Sequence, residues 1–182
     1  MFMRELFRRR TPVLFLCLAF ACAGLANQTI PLSIERLTRT SEIVLQGTVT
    51  SKSCQRDDRG RIYTKIVLNV ADVWKGQVPP GFVMVQAGGV LGEEVTTVSG
   101  QEEFEIGEEV VVFLVLNPRG EGVVIGVSQG KFKILEENGS NEKTASNGFH
   151  GQARETAAGL QRSAARPLTV AELKQRVRAE AK

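Results

Sequence analysis

From Arg61 onward the chain alternates. Ile62, Thr64, Ile66, Leu68 and Val70 occupy one phase of a period-two pattern, and Tyr63, Lys65, Val67 and Asn69 occupy the other. Such a run predicts a long strand with one face toward a core. The alternation slips at Ala71–Asp72 and the run stops at Trp74-Lys75-Gly76, so the strand is expected to bend near its end. Other apolar runs predict strands over 43–54, 82–86, 110–116, 123–127 and 131–135, with a weak one over 95–98. In the first of these, Ile43, Leu45, Gly47 and Val49 share a face. The polar or Gly/Pro-rich pieces QRDDRG, GQVPPG, AGGVLG and NPRGEG read as turns and loops. Val110 to Leu116 is apolar without a break, so both of its faces are expected to be buried and something has to cover the outer one.

A short helix is expected on either side of this β region. Ser33 is a good N-cap, with Leu32 and Leu37 placed as a hydrophobic staple. The motif returns as PLTVAEL at 167–173, where Thr169 and Glu172 have capping-box spacing and Val170, Leu173 and Val177 form one stripe. Residues 137–166 are rich in Asn, Gly, Ser, Ala and Arg, with Phe149 and Leu160 as their only large apolar side chains. They read as a disordered linker. Several short antiparallel strands with one long, bent member predict a mainly β protein. Its expected form is a small OB-like β-barrel with an N-terminal short helix and a C-terminal helix after a polar linker; a β-sandwich is the alternative.

The first 26 residues change this picture. Arg4, Arg8, Arg9 and Arg10 precede an apolar run over 13–23, and Gly24-Leu25-Ala26 offers small residues for a signal peptidase. The run falls short of the roughly 20 residues of a membrane span. The expected organisation is therefore a signal peptide (1–26), an OB-like barrel domain (27–136), a disordered linker (137–166) and a C-terminal helix (167–182), exported to the periplasm or the extracellular space. Lipidation at Cys22 is the competing reading. Export leaves Cys54 as the one thiol, so no internal disulfide is expected.

Charge then excludes one class of partner. The whole chain carries +3, but residues 1–26 hold four arginines and one glutamate and account for all of it. Residues 27–138 hold 11 Lys/Arg against 15 Asp/Glu, net −4, and residues 139–182 hold 8 against 4, net +4. An acidic barrel with few aromatic residues does not suit nucleic acid. The opposite signs of barrel and tail suggest that the C-terminal helix docks through Leu173 and Val177, with the glutamate-rich stretch 93–109 facing Lys174, Arg176 and Arg178.

Catalytic chemistry finds little support. The one histidine, His150, falls in the polar linker and reads as solvated. Cys54 has no histidine at a strand position to activate it, and no His/Cys pair has zinc spacing. AGGVLG is followed by Glu93-Glu94, which repels the anion a phosphate loop would hold. No cofactor, metal or catalytic residue is assigned. The candidate partner-binding residues are Trp74, Lys75, Glu93, Glu94, Glu102, Glu103 and Glu105. Trp74 reads equally as core, and the glutamates as a solvated face.

SIERLTRTSEIVLQGTV, IYTKIVLNVADVWKG and GEEVVVFL together resemble bacterial exported proteins of unknown function. They also resemble the netrin-like OB barrel of the tissue inhibitors of metalloproteinases, over about residues 31–135. The resemblance implies a barrel with a long strand ending in Lys75-Gly76. Those inhibitors act through an N-terminal cysteine and are disulfide-bonded, whereas cleavage here would leave Asn27 first. The expected function is a non-enzymatic, exported module that binds a protein or cell-envelope partner. The alternatives are a protease-inhibitor-like module acting through barrel loops and a hydrolase using surface carboxylates.

Overall fold

The computed structural model describes residues 30–136, 142–150 and 168–181. The fold lies in the unit Pro31–Lys182; the signal-peptide region and much of the expected linker lie outside the described residues. The protein is mainly β. In chain order its elements are α1 (Ile34–Thr40), β1 (Ile43–Arg56), β2 (Ile62–Lys75), β3 (Gly81–Ala87), β4 (Gly89–Leu91), β5 (Glu94–Thr96), β6 (Glu109–Leu116), β7 (Gly122–Val124), β8 (Lys131–Glu136), β9 (Lys143–Ser146) and α2 (Val170–Glu180). Seven strands form one sheet in the order β1-β2-β3-β7-β6-β8-β9, and β1 also pairs with β6. Every pairing is antiparallel except β3–β7, which meets in parallel at Met84 and Gly122. β4 and β5 make a separate hairpin.

The slip at Ala71–Asp72 is a bulge. Gln46 pairs with Asp72 and Gly47 with Val70, leaving Ala71 without a partner on β1. Because side chains alternate, one extra residue exchanges the faces of everything beyond it. Leu68 and Trp74 would share a face in an unbroken strand. Instead Leu68 joins a cluster with Leu45, Ile66, Met84 and Phe104, and Trp74 joins a second with Leu37, Phe113 and Phe132. It is β1, however, that serves two neighbours at once: its residues 43–48 pair with β6 while its whole length pairs with β2.

β6 divides its apolar run between the same two clusters. Val110, Val112 and Leu114 enter the first, and Val111 and Phe113 the second. The outer face of this doubly buried strand is covered by the helices, through Ile34 and Leu37 of α1 and Leu173 and Val177 of α2. Both helices start on the expected hydroxyl caps: Arg36 N donates to Ser33 Oγ (3.2 Å) and Glu172 N to Thr169 Oγ1 (3.1 Å). The end of β2 locks α1 in place. Lys75 Nζ donates to the carbonyls of Thr38 (2.7 Å) and Ser41 (2.6 Å) at the helix C-terminus, where cations are favoured. Gly76 follows at φ 79, and a Cβ there would lie 2.7 Å from Glu42 O. Only glycine satisfies both that dihedral and that approach.

α2 does dock, but on a different acidic surface from the stretch 93–109. Arg176 pairs with Glu35 of α1 (2.6 Å), Lys174 and Arg178 with Asp72 of β2, and Arg39 with Glu180 (2.7 Å). A hydrogen bond from Arg176 holds the Glu35 carboxyl below its ordinary range. Burial pushes Asp72 up, but Lys174, Trp74 and Arg178 outweigh it and the net shift is downward.

The expected linker is corrected over 143–150. Lys143–Ser146 is a strand paired with β8, and Ala145 is fully buried. Its side chains are too small and polar to announce it, because backbone pairing and a neighbouring core hold it. His150 is not solvated: it stacks on Phe132 (5.7 Å between centroids), and its Nε2 lies 2.8 Å from Leu32 O. AGGVLG, expected as a loop, supplies β4, and the strand expected over 123–127 ends at Val124 before a turn in which Val127 takes φ 66.

Candidate functional site

The β4–β5 hairpin lies across the ends of β1 and β2. After β3 the chain turns through Gly88 (φ 82) and Gly89 (φ 137). Gly88 N donates to Ile62 O (2.9 Å), and Thr64 Oγ1 donates to Gly88 O (2.8 Å). A Cβ on Gly89 would lie 2.4 Å from Thr64 Oγ1 and 2.7 Å from Cys54 Sγ, so glycine lets the backbone rest on both side chains. The hairpin pairs Gly89 with Thr96, Val90 with Val95 and Leu91 with Glu94. Gly92 takes φ 65 while Glu93 keeps a negative φ, the pattern of a type II′ turn, which suits a two-residue connection.

Between the hairpin and the body is a cleft of about 410 Å³, within the usual range of ligand pockets, roughly 300–1,000 Å³. Lys52, Cys54, Thr64 and Gln86 line the body side, Val90, Val95 and Val98 the hairpin side, and Gln101, Glu103 and Phe104 the end. Val90 and Val95 are 62% and 65% exposed although they face each other across the hairpin. A three-residue strand pair cannot bury its own apolar face.

Two lysines fix the segment that closes the cleft. Lys52 Nζ donates to Phe104 O, and Lys131 Nζ to Glu103 O (2.6 Å). Lys131 also sits over the Phe104 ring, 4.4 Å from its centroid, and pairs with Glu108 at 3.0 Å. The Lys131 and Glu108 side chains are only 4% and 5% exposed. A buried ion pair is tolerated when its remaining polar atoms are satisfied. Here Glu108 Oε2 also accepts from Glu105 N (3.1 Å), and among the described residues no buried side-chain nitrogen or oxygen lacks a partner. Sequence reading missed this pair, because Glu108 falls in a run that looked uniformly solvated and Lys131 is distant along the chain.

The expected partner-binding residues separate into two groups. Trp74 and Lys75 are structural. Trp74 is 5% exposed in the core beneath the helices, with its Nε1 donating to Asp72 Oδ2 (3.0 Å), and Lys75 caps α1. Burial after the bulge therefore corrects their assignment to a surface. Glu93, Glu94, Glu102, Glu103 and Glu105 are all exposed. Glu94 pairs with Arg56 (2.7 Å). Glu103 lines the cleft, and the carbonyl of Glu102 accepts from Gln86 Nε2 (2.7 Å) on its wall. Val90, Val95 and Val98 escaped the sequence reading, where the apolar weak strand at 95–98 was the available signal.

Cys54 lines the cleft, whereas His150 packs on Phe132 and is not part of the lining. Lys52 and Arg56, the charged neighbours of Cys54, are bound to Phe104 O and Glu94. Among the described residues no three His, Cys, Asp or Glu side chains converge to hold a metal ion. No helix there is long and apolar enough to cross a membrane. The sequence matches no family model and no curated protein.

Proposed function

We propose that this chain is an exported, non-enzymatic binding module on an OB-like barrel, and that it engages a protein or cell-envelope partner through the face of the β4–β5 hairpin. The observation that carries this reading is the exposed Val90–Val95 pair beside a formed cleft. Exposed apolar groups clustered at a cleft are the usual mark of an interaction surface. The barrel is supported by the cycle of pairings β1–β2, β2–β3, β3–β7, β7–β6 and β6–β1, with its single parallel contact. That cycle, with Lys75-Gly76 closing the long strand, also supports the netrin-like resemblance. Export to the periplasm or beyond is supported by the basic and apolar pattern of residues 1–23.

The test is affinity capture from an envelope fraction with the wild-type chain, a Val90→Asp/Val95→Asp variant and a Leu135→Asp control on exposed β8. A partner retained by wild type and control but lost with the hairpin variant is expected. Equal capture by all three would end the hairpin reading. Substrate turnover in a hydrolase screen would replace the binding module with an enzyme.

A further inference from the structure

The cleft has a distinct electrostatic setting. Glu35, Asp57, Asp72, Glu108, Glu109 and Glu121 each face a lysine or arginine within ion-pair distance. Around the cleft the pattern reverses. Glu93, Glu102, Glu103 and Glu105 are exposed and have no ion-pair partner among the described residues. The cations nearest this face are engaged: Arg56 by Glu94, Lys52 by Phe104 O, and Lys131 by Glu108. No lysine or arginine occurs between Lys75 and Arg119. The surface is thus apolar in the middle, where Val90, Val95 and Val98 lie, and carries uncompensated negative charge at its rim.

The hairpin also has a free edge. Val90 and Val95 occupy the position between two hydrogen-bonded pairs of a two-residue hairpin, so the N–H and C=O of Val95 point away from β4. β5 pairs with β4 alone, and all three of its residues are exposed. An unpaired edge is a template for another extended chain.

Resting on the binding-module reading, we propose that this face takes an extended, basic segment of a partner polypeptide. The segment pairs with the edge of β5, seats apolar side chains on the three valines, and sets lysines or arginines against the rim glutamates. Charge complementarity selects this occupant over a second copy of the chain, whose own hairpin would bring the same uncompensated glutamates together.

The experiment titrates the full chain with three nine-residue peptides: alternating Lys/Leu, alternating Glu/Leu, and alternating Lys/Ser. Binding is followed by calorimetry and by the rate at which iodoacetamide alkylates Cys54 in the cleft. The Lys/Leu peptide is expected to bind and slow alkylation, and to weaken as salt rises. The other two are expected to bind at least tenfold more weakly. Glu102→Gln/Glu103→Gln should weaken the Lys/Leu peptide roughly three- to tenfold. Equal binding of the Glu/Leu peptide, or binding that leaves Cys54 alkylation unchanged, overturns the proposal. So does a dimer in sedimentation that Val95→Asp dissociates. If the Lys/Leu peptide fails while envelope capture still depends on Val90 and Val95, the basic-strand inference falls and the binding module stands.

Discussion

Lys75 illustrates how a single side chain can look functional and be structural. Its two hydrogen bonds, to Thr38 O and Ser41 O, satisfy carbonyls that α1 leaves open at its end. Hydrogen bonds from a charged donor contribute about 1.5–3 kcal/mol. Lys75→Met keeps the stem and removes both bonds, so it should lower unfolding stability by about 1–3 kcal/mol in urea titration. Glu93→Gln, an exposed change at the hairpin tip, should stay within about 0.5 kcal/mol. Local pattern could name Lys75-Gly76 as the end of a strand. It could not say that the strand's face had been exchanged at Ala71, and so it left Trp74 open between core and surface. The same limit hid Lys131 and Glu108, whose meeting depends on strand order and not on spacing.

At the scale of elements, α2 is held by burial and oriented by charge. Leu173 and Val177 are fully buried, whereas the ion pairs around them are partly exposed and contribute little individually. Leu173→Ala should therefore cost about 2–5 kcal/mol. Trp74, the only tryptophan, lies in the same cluster, and a red shift of its emission in this variant would report loosened docking. Acid should loosen the same contact. Glu35 and Asp72 titrate below their ordinary values in the folded chain, so the stability they contribute is present above about pH 4 and is lost as pH falls below it. Trp74 emission followed from pH 7 to 2 should change below about pH 4, and Glu35→Gln/Asp72→Asn should flatten that part of the titration. The long strands and both helix caps were legible because each writes its period or cap directly into the residues. β4 and β9 were not, since three or four small or polar residues carry no period. The acidic counterpart of α2 was misplaced because a charge count records how many carboxylates exist and not which lie beside the helix.

Across the whole molecule, two clusters share one sheet, and the outer one is completed only by α2. Val111, Phe113, Phe132 and Trp74 belong to it together with Leu168, Leu173 and Val177. Removing residues 168–182 should bare that face while leaving the Leu45–Leu68–Phe104 cluster intact. The truncated chain is expected to retain strand signal in far-ultraviolet dichroism, bind a hydrophobic dye strongly, and self-associate. Unchanged dye binding would mean that α2 covers nothing essential. At this scale the sequence was informative in one respect: an unbroken apolar strand at 110–116 demanded a cover. The hairpin face was harder to foresee, because valines in a short strand look alike whether they are buried or left open.

That the cover comes last in the chain has a consequence for biosynthesis. About 60 residues separate β6 from the end of α2. At about 5–20 residues per second, translation leaves the outer face of β6 without its lid for roughly 3 to 12 seconds after β6 is made. During that interval a nascent chain presents aromatic and branched surface to its neighbours, the kind of surface that holdase chaperones occupy. A message cut short upstream of residue 168 would make this interval permanent, so the same helix that seals the finished molecule also marks an unfinished one for disposal.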